Sequence, residues 1–383
     1  MNKEIRKPTI HNMKRRSNAH NYSRRGFYHI TISVSKAHHQ PLGQIVGQLD
    51  KPDGDINAPH TELSVIGKMV EEELNTSIHH YYTMIEVQDY VIMPEHLHFI
   101  LVAHSDVISR NNKPTHLGHV IAGFKYGCNK RFGAITGRQS LRPTTSSVLG
   151  DSVAKTAPPL FEEGYCDVMP IDEAQIATQR AYIHANPRSR LMRMTNRAWL
   201  QPQRQTVDTA VSLPALKKYL ATESPDTMAE ASFAVLEKRL LLKGRHITCD
   251  SYGNIHLLQK RILPVVCHRK DNALFPQQKA RCLEEAAKGT ILVSARISKR
   301  EQDIMDTALL AGYPVVRIED NGFSEHYHPS ANRIDDCAAN KLLILTPWSY
   351  QYRSHGESIT VLQCKTMNCV AQAICKIKDN WWK

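Results

Sequence analysis

The sequence predicts an α+β protein built in two parts. Three observations carry this reading. Residues 27–185 run strand, helix, strand, strand, helix, long loop, helix, an order that suits an antiparallel sheet with helices packed on one face. Residues 290–377 alternate short apolar strands with helices, which argues for a second, smaller α/β domain around a parallel sheet. The chain has 383 residues, 42% of them hydrophobic, enough for two or three domains with cores of their own.

The elements follow in order. The run Phe27-Tyr28-His29-Ile30-Thr31-Ile32-Ser33-Val34 alternates as a strand does. Residues 37–60 are a polar loop. Residues 61–77 place Leu63, Ile66, Met69, Val70 and Leu74 on one helical stripe, with Glu71, Glu72 and Glu73 outside it. Two strands are expected at 82–87 and 89–102, the second interrupted by Pro94. A basic amphipathic helix covers 116–133, and 136–159, rich in Thr, Ser, Gly and Pro, forms a mobile connection. A helix over 171–185 stops at Asn186-Pro187, because proline disfavours helical geometry in the residue before it. Residues 206–245 read as helical and lead into a basic, partly strand-like run over 252–266. Strands at 290–293, 314–318 and 342–346 alternate with helices at 299–311 and 331–339, and a last apolar run covers 359–377. The expected organisation is a basic arm over 1–26, a first domain over 27–205, a connecting region over 206–270 and an α/β domain over 271–383.

Composition removes several classes. No stretch of about 18 uncharged apolar residues exists, so no membrane-spanning helix is expected. The N-terminus is basic and has no apolar core, unlike a secretory signal. The nine cysteines are scattered without a CxxC pair, which excludes a zinc ribbon or a disulfide scaffold and points to a reducing cytoplasm. Lys plus Arg number 49 against 37 Asp plus Glu, a formal net charge of +12. The surplus is segregated. Residues 107–150 carry seven basic residues and no acid, and 174–207 carry six arginines and no acid, whereas acids collect in 50–95 and 301–336. Segregation of this kind suits a phosphate-binding face, with nucleic acid as the commonest partner.

The sharpest motif is Tyr90-Val91-Ile92-Met93-Pro94-Glu95-His96-Leu97-His98-Phe99-Ile100-Leu101. Residues i and i+2 of a strand share a face. His96 and His98 therefore project together while Leu97 and Phe99 point into the core. Two imidazoles side by side on a rigid strand form half a divalent-metal site, or else two polar strand residues. A second mark is Arg180-Ala181-Tyr182-Ile183-His184-Ala185-Asn186-Pro187, in which Tyr182 and Asn186 stand four apart on one helix face.

The string YVIMPEHLHFIL resembles the histidine strand of the HUH endonucleases. The Tyr-Ile-x-x-Asn-Pro pattern, following in this order, is similar to that of the single-tyrosine transposases, including the REP-associated tyrosine transposases. The resemblance covers residues 20–200, about half the chain. It departs from the family at Glu95, where Asn is frequent, and at Pro158-Pro159-Leu160-Phe161, where the family's Gln-Pro is absent. It implies a ferredoxin-like nuclease domain. It also implies Tyr182 as the nucleophile on a phosphodiester, leaving a 5′-phosphotyrosine and a free 3′-OH. A tyrosine of ordinary pKa near 10 needs help in that task. His96 and His98 would hold Mg²⁺ or Mn²⁺, with Asn186 as a third ligand or, alternatively, as a cap of the helix end. Lys125, Lys130, Arg131, Arg188 and Arg190 are candidate phosphate contacts as a cluster, though each alone reads as a solvated charge. The implied substrate is single-stranded DNA with hairpin or palindromic ends, handled in the cytoplasm near the nucleoid. Pairing of two copies by helix exchange is compatible with the 136–159 connection. The alternatives are a replication initiator or relaxase of the same chemistry, and a domesticated DNA- or RNA-binding protein without catalysis.

Rival sites are weaker. Tyr126 lies in the basic helix without a polar partner four residues on. His326-Tyr327-His328 sits between Asn321-Gly322 and Pro329, in a loop. His29-Ile30-Thr31 and His246-Ile247-Thr248 match the paired motif of two-histidine phosphoesterases, but strand histidines explain both. In the second domain, Ser294, Arg296 and Ser298 precede a helix where phosphate could be held beyond a strand end. This run faintly resembles Rossmann-like domains of DNA-processing proteins.

Overall fold

A computed structural model describes residues 21–109, 111, 113–137, 158–170, 172–353 and 358–383. Most of the basic arm and most of the 136–159 connection lie outside the described residues. The chain divides into two compact units, Met1–Leu191 and Met192–Lys383.

The first unit contains β1 (Gly26–Ser33), β2 (Gly43–Val46), β3 (His60–Leu63), α1 (Val65–Tyr81), β4 (Ile85–Met93), β5 (His96–Ala103), α2 (Leu117–Thr136), β6 (Cys166–Val168) and the start of α3 (Glu173–Thr195). Its four-stranded sheet has the order β4-β5-β1-β6, with every neighbouring pair antiparallel. β2, in the expected polar loop, pairs with β3, which takes up residues 60–63 at the start of the expected helix, as a separate hairpin. α1 starts later than its apolar stripe suggested, because the Ser64 hydroxyl accepts from the amides of Ile66 and Gly67 and so fixes the cap. Pro94 and Glu95 are the turn that folds β4 onto β5.

The two faces of β5 do different things. Leu97, Phe99 and Leu101 are fully buried against α1 and α2, in a core with Met69, Val70, Leu74, Val120, Ile121 and Phe124. Ile100 and Val102 face the other way and enclose Ile183 of α3 with Phe27 and Val91. A strand covered on both sides is buried nearly throughout, as β5 is.

α3 corrects the expected stop at Asn186-Pro187: it continues to Thr195 with Pro187 inside it. Proline removes one ladder bond and crowds the preceding turn. Here the ring is buried, and side chains on both sides of it anchor the helix, so docking outweighs the local cost.

The second unit contains β7 (Gln203–Ser212), α4 (Leu213–Glu223), α5 (Glu230–Glu237), β8 (Leu242–Lys243), β9 (His246–Gly253), β10 (Ile262–Pro264), α6 (Phe275–Ala287), β11 (Ile291–Ser294), α7 (Lys299–Leu310), β12 (Val315–Ile318), α8 (Ala331–Ala338), β13 (Leu342–Thr346) and α9 (Val361–Cys375). β10, β11, β12 and β13 are parallel neighbours, and β9 and β7 extend the sheet antiparallel. β11, β12 and β13 match the expected alternation, and β10, from the expected connecting region, is a fourth parallel strand. Residues 206–270 are part of this domain and not a connector: the expected helical stretch 206–245 holds α4 and α5 but opens on β7, and β8, β9 and β10 follow it, β7, β9 and β10 joining the sheet. The alternation of Val207, Thr209 and Val211, all buried, is the strand signal that the helical reading of 206–245 overlooked. Helices cover both faces, α4, α5 and α9 on one and α6, α7 and α8 on the other.

Candidate active site

The site lies on the α3 side of the first unit's sheet. Antiparallel pairing sets Thr31 opposite His98 and Ser33 opposite His96, so the alternating residues His29 and Thr31 of β1 share a face with the two histidines of β5. The rings of His96 and His98 stand 4.8 Å apart between centroids, and those of His29 and His98 5.2 Å apart. The Tyr182 ring lies 5.4 Å from His98 and 5.9 Å from His29. Half of Tyr182 remains exposed (51%), while His98 and His29 are buried. The histidine pair and the tyrosine singled out in the sequence are therefore brought together. His29, Thr31 and Gln179 join them and were not singled out for this site.

Several anchors aim α3. Gln179, Tyr182, Ile183 and Asn186 fall on one helical face at i, i+3, i+4 and i+7. Ile183 is fully buried on the sheet. A register shift between Val87 and Tyr90 of β4 frees Gln88 and Asp89 from regular pairing. Asp89 accepts from Arg180 Nε at 2.8 Å and from His184 at 3.0 Å, and Gln88 accepts from Arg180 at 2.6 Å. Re-aiming a side chain is what such a bulge does beside a site.

Of the other expected residues, Asn186, Lys125, Arg131, Arg188 and Arg190 have internal partners. Asn186 Nδ2 donates to the Tyr182 carbonyl at 2.7 Å, bracing the helix where Pro187 interrupts its ladder. Lys125 donates to the carbonyls of Glu162 and Gly164, holding the segment that leads into β6. Arg131 pairs with Glu72 and Glu73 of α1. Arg188 clamps the loop before β3, donating to the Leu49 carbonyl at 2.8 Å and to Asp53 at 2.8 Å. Arg190 pairs with Glu95 at 3.2 Å. Lys130 is exposed and forms no ion pair among the described residues. Tyr126 is exposed on α2.

Burial sets the charge state of the histidines. It is the main cause that lowers His98 to about 3, reinforced by His96 and His29. Burial also lowers His96, opposed by Glu95 and assisted by Arg190. It lowers His29 against the hydrogen bond that His29 makes to the Gln179 amide oxygen. All three rings are neutral at pH 7, the form in which imidazole can ligate a metal. Neither ring nitrogen of His96 and not the Nε2 of His98 has a hydrogen-bond partner among the described residues. One carboxylate oxygen of Glu95, next to His96, is buried without a partner. This donor set fits two positions around a divalent cation. No group of three or more His, Cys, Asp or Glu side chains suited to a metal occurs among the described residues. The rest of a cation's shell would come from water and phosphate oxygens, as is usual for Mg²⁺.

The rival motifs separate. His246 pairs with Asp208 in the second unit, far along the chain from His29. His326 and His328 are both in an irregular segment, and His326 is exposed. Ser294 bonds the Val265 carbonyl and the Arg296 amide, Ser298 caps α7, and Arg296 pairs with Asp306. Those serines serve the local fold.

No family model matches the chain, and no curated protein matches it. Among solved structures it is similar to a REP-associated tyrosine transposase bound to a REP hairpin, with 11% identity, a TM-score of 0.27, and coverage of 45% of this chain and 73% of that one. Among the described residues no helix is long and apolar enough to cross a membrane.

Proposed function

We propose that this chain is a DNA transposase that cuts and rejoins single-stranded DNA through Tyr182, and that its first unit is a ferredoxin-like HUH nuclease domain. One observation carries the reading: a half-exposed tyrosine on a helix stands against a pair of neutral, buried strand histidines, with ring centroids of Tyr182 and His98 5.4 Å apart. The strand order β4-β5-β1-β6, with α1 and α2 on one face, supports the ferredoxin-like part of the reading, since a split βαβ unit would have this order.

In this reading the Tyr182 oxygen gives up its proton to solvent and bonds to phosphorus, the bond from phosphorus to the 3′ oxygen breaks, and that oxygen takes a proton from solvent to become a free 3′-OH, so no net proton is gained or lost. The covalent 5′-phosphotyrosine keeps the energy of the broken bond, so the strand can be rejoined without a nucleotide cofactor. His96 and His98 would hold Mg²⁺ or Mn²⁺, which when bound polarises a phosphate. Ile183 and the Arg180–Asp89 pair keep the phenol directed at the histidines, the positional part of the catalysis. The substrate would be chromosomal single-stranded DNA near a hairpin, met in the cytoplasm.

The test is incubation of the full chain with single-stranded hairpin DNA from the flanks of its gene, with Mg²⁺ or Mn²⁺ and with or without EDTA, followed by a denaturing gel. A covalent band that needs the cation is expected. Tyr182→Phe should abolish that band and leave DNA binding intact. A band that survives Tyr182→Phe would remove Tyr182 as the nucleophile, and no band with any flanking hairpin would remove the transposase reading.

A further inference from the structure

A chain of hydrogen bonds runs behind the histidine pair, and its direction is decided at one end. Gln179 Oε1 stands 2.5 Å from His29 Nδ1, His29 Nε2 stands 3.1 Å from His98 Nδ1, and Thr31 Oγ1 stands 2.9 Å from the same His98 Nδ1. An amide oxygen has no proton to give, so His29 Nδ1 donates. A neutral imidazole carries one N–H. With its proton on Nδ1, His29 offers Nε2 as an acceptor. His98 Nδ1 must then be the donor, shared between His29 and Thr31. The single proton of neutral His98 is thereby placed on Nδ1, and its Nε2 keeps a bare lone pair.

We infer that Gln179, acting through His29, holds His98 in the Nδ1–H tautomer and so presents His98 Nε2 as a ready ligand for a divalent cation. Gln179 and His29 are positioning residues. They do not touch the reacting atoms, and the inference rests on the proposed function only in supposing that a cation is what His98 receives. Fixing a ligand's tautomer through its other ring nitrogen is the usual task of groups behind a metal site.

The placement of Gln179 adds a consequence. It sits on α3 three residues before Tyr182, on the same helical face. The contact that sets the His98 tautomer forms only when α3 is docked on the sheet, and that docking also brings Tyr182 to the histidines. Nucleophile and ligand are readied by one event. An undocked helix leaves His29 without its acceptor and His98 free to take the Nε2–H tautomer, which masks the ligand nitrogen. Burial supports the scheme by keeping both rings neutral.

The inference is read directly in the full-length, metal-free chain labelled with ¹⁵N in the histidine rings, by long-range ¹H–¹⁵N correlation spectra at pH 7. His29 and His98 are expected to show the Nδ1–H pattern. The near-isosteric Gln179→Met should move His98 toward Nε2–H and weaken Mn²⁺ binding, followed by electron paramagnetic resonance, by about 10- to 100-fold. An Nε2–H pattern for His98 in the unaltered chain overturns the inference without any variant. So does Gln179→Met with unchanged tautomer, or with unchanged Mn²⁺ affinity. Failure of the unaltered chain to bind Mn²⁺ removes the cation from it. A chain that meets both expectations and forms no adduct with hairpin DNA sinks the transposase reading and leaves the relay standing.

Discussion

Acid should unfold the first unit through its buried histidines. His98 is held at about 3, against an ordinary value of 6.5, chiefly by burial. The folded value is the lower one, so the unfolded chain binds an extra proton between those limits. Stability is therefore complete above pH 6.5 and falls as pH drops through the window below it. Moving from pH 7.5 to 5.0 should cost about 2 kcal/mol from His98 alone, on the basis of 1.36 kcal/mol for each tenfold change in proton affinity. His29 and His96 are lowered by burial as well and add to the loss with the same sign. The chain's four tryptophans, Trp199, Trp348, Trp381 and Trp382, all lie in the second unit, so their fluorescence does not follow the first. Hydrogen exchange of the β5 amides, corrected for the intrinsic effect of pH, does follow it. Protection there should fall by roughly 30-fold or more on acidification. His98→Asn should remove at least that share of the pH dependence while leaving a less stable protein at pH 7.5. The second unit carries an opposite bias at His268, which its hydrogen bond to Asp379 raises. That contribution is present below pH 6.5 and is lost as pH rises through the folded value. Equal acid sensitivity of β5 exchange in the unaltered chain and in His98→Asn would refute the reasoning.

Two further outcomes test how α3 is held. Ile183→Ala, at a fully buried position, should cost about 2–4 kcal/mol; it should also slow adduct formation although Tyr182 is untouched, measured by denaturant titration alongside the gel. Arg188→Ala should free the loop before β3, raising its rate of proteolysis several-fold with little change in overall stability. Equal cleavage rates would show that the loop is held by something else.

The core and the histidine face were legible because period-2 alternation is a local property. His96 and His98 opposite Leu97 and Phe99 needs no knowledge of the fold. His29 and Thr31 alternate just as plainly. What made them part of the site is the register that sets Thr31 against His98, a contact across more than sixty residues that no local pattern encodes. Gln179 was hidden for a similar reason: its meaning depends on α3 lying on the outer face of the sheet. Pro187 misled because the rule applied to it concerns an isolated helix, whereas burial of Ile183 and the bonds of Arg180 and Arg188 decide the outcome here.

Charge misled differently, and the correction bears on function. The acid-free stretches suggested a phosphate-binding face, but segregation along the chain is not segregation in space. The acids gathered in 50–95 are the partners of the bases further on: Asp53 with Arg188, Glu72 and Glu73 with Arg131, Asp89 with Arg180, and Glu95 with Arg190. Such pairs at or near the surface neutralise much of the field the sequence seemed to promise, and the more exposed of them, such as Arg131 with Glu72, contribute roughly 0–1 kcal/mol each. A strand of DNA reaching Tyr182 would have to compete with Glu95 for Arg190 and with Asp53 for Arg188. The surplus of +12 remains, but its location in the first unit no longer argues for a nucleic-acid track by itself. The weight therefore moves from electrostatics to geometry. The case for strand cleavage stands on three neutral imidazoles and a half-exposed phenol assembled by a helix that ignores its own proline.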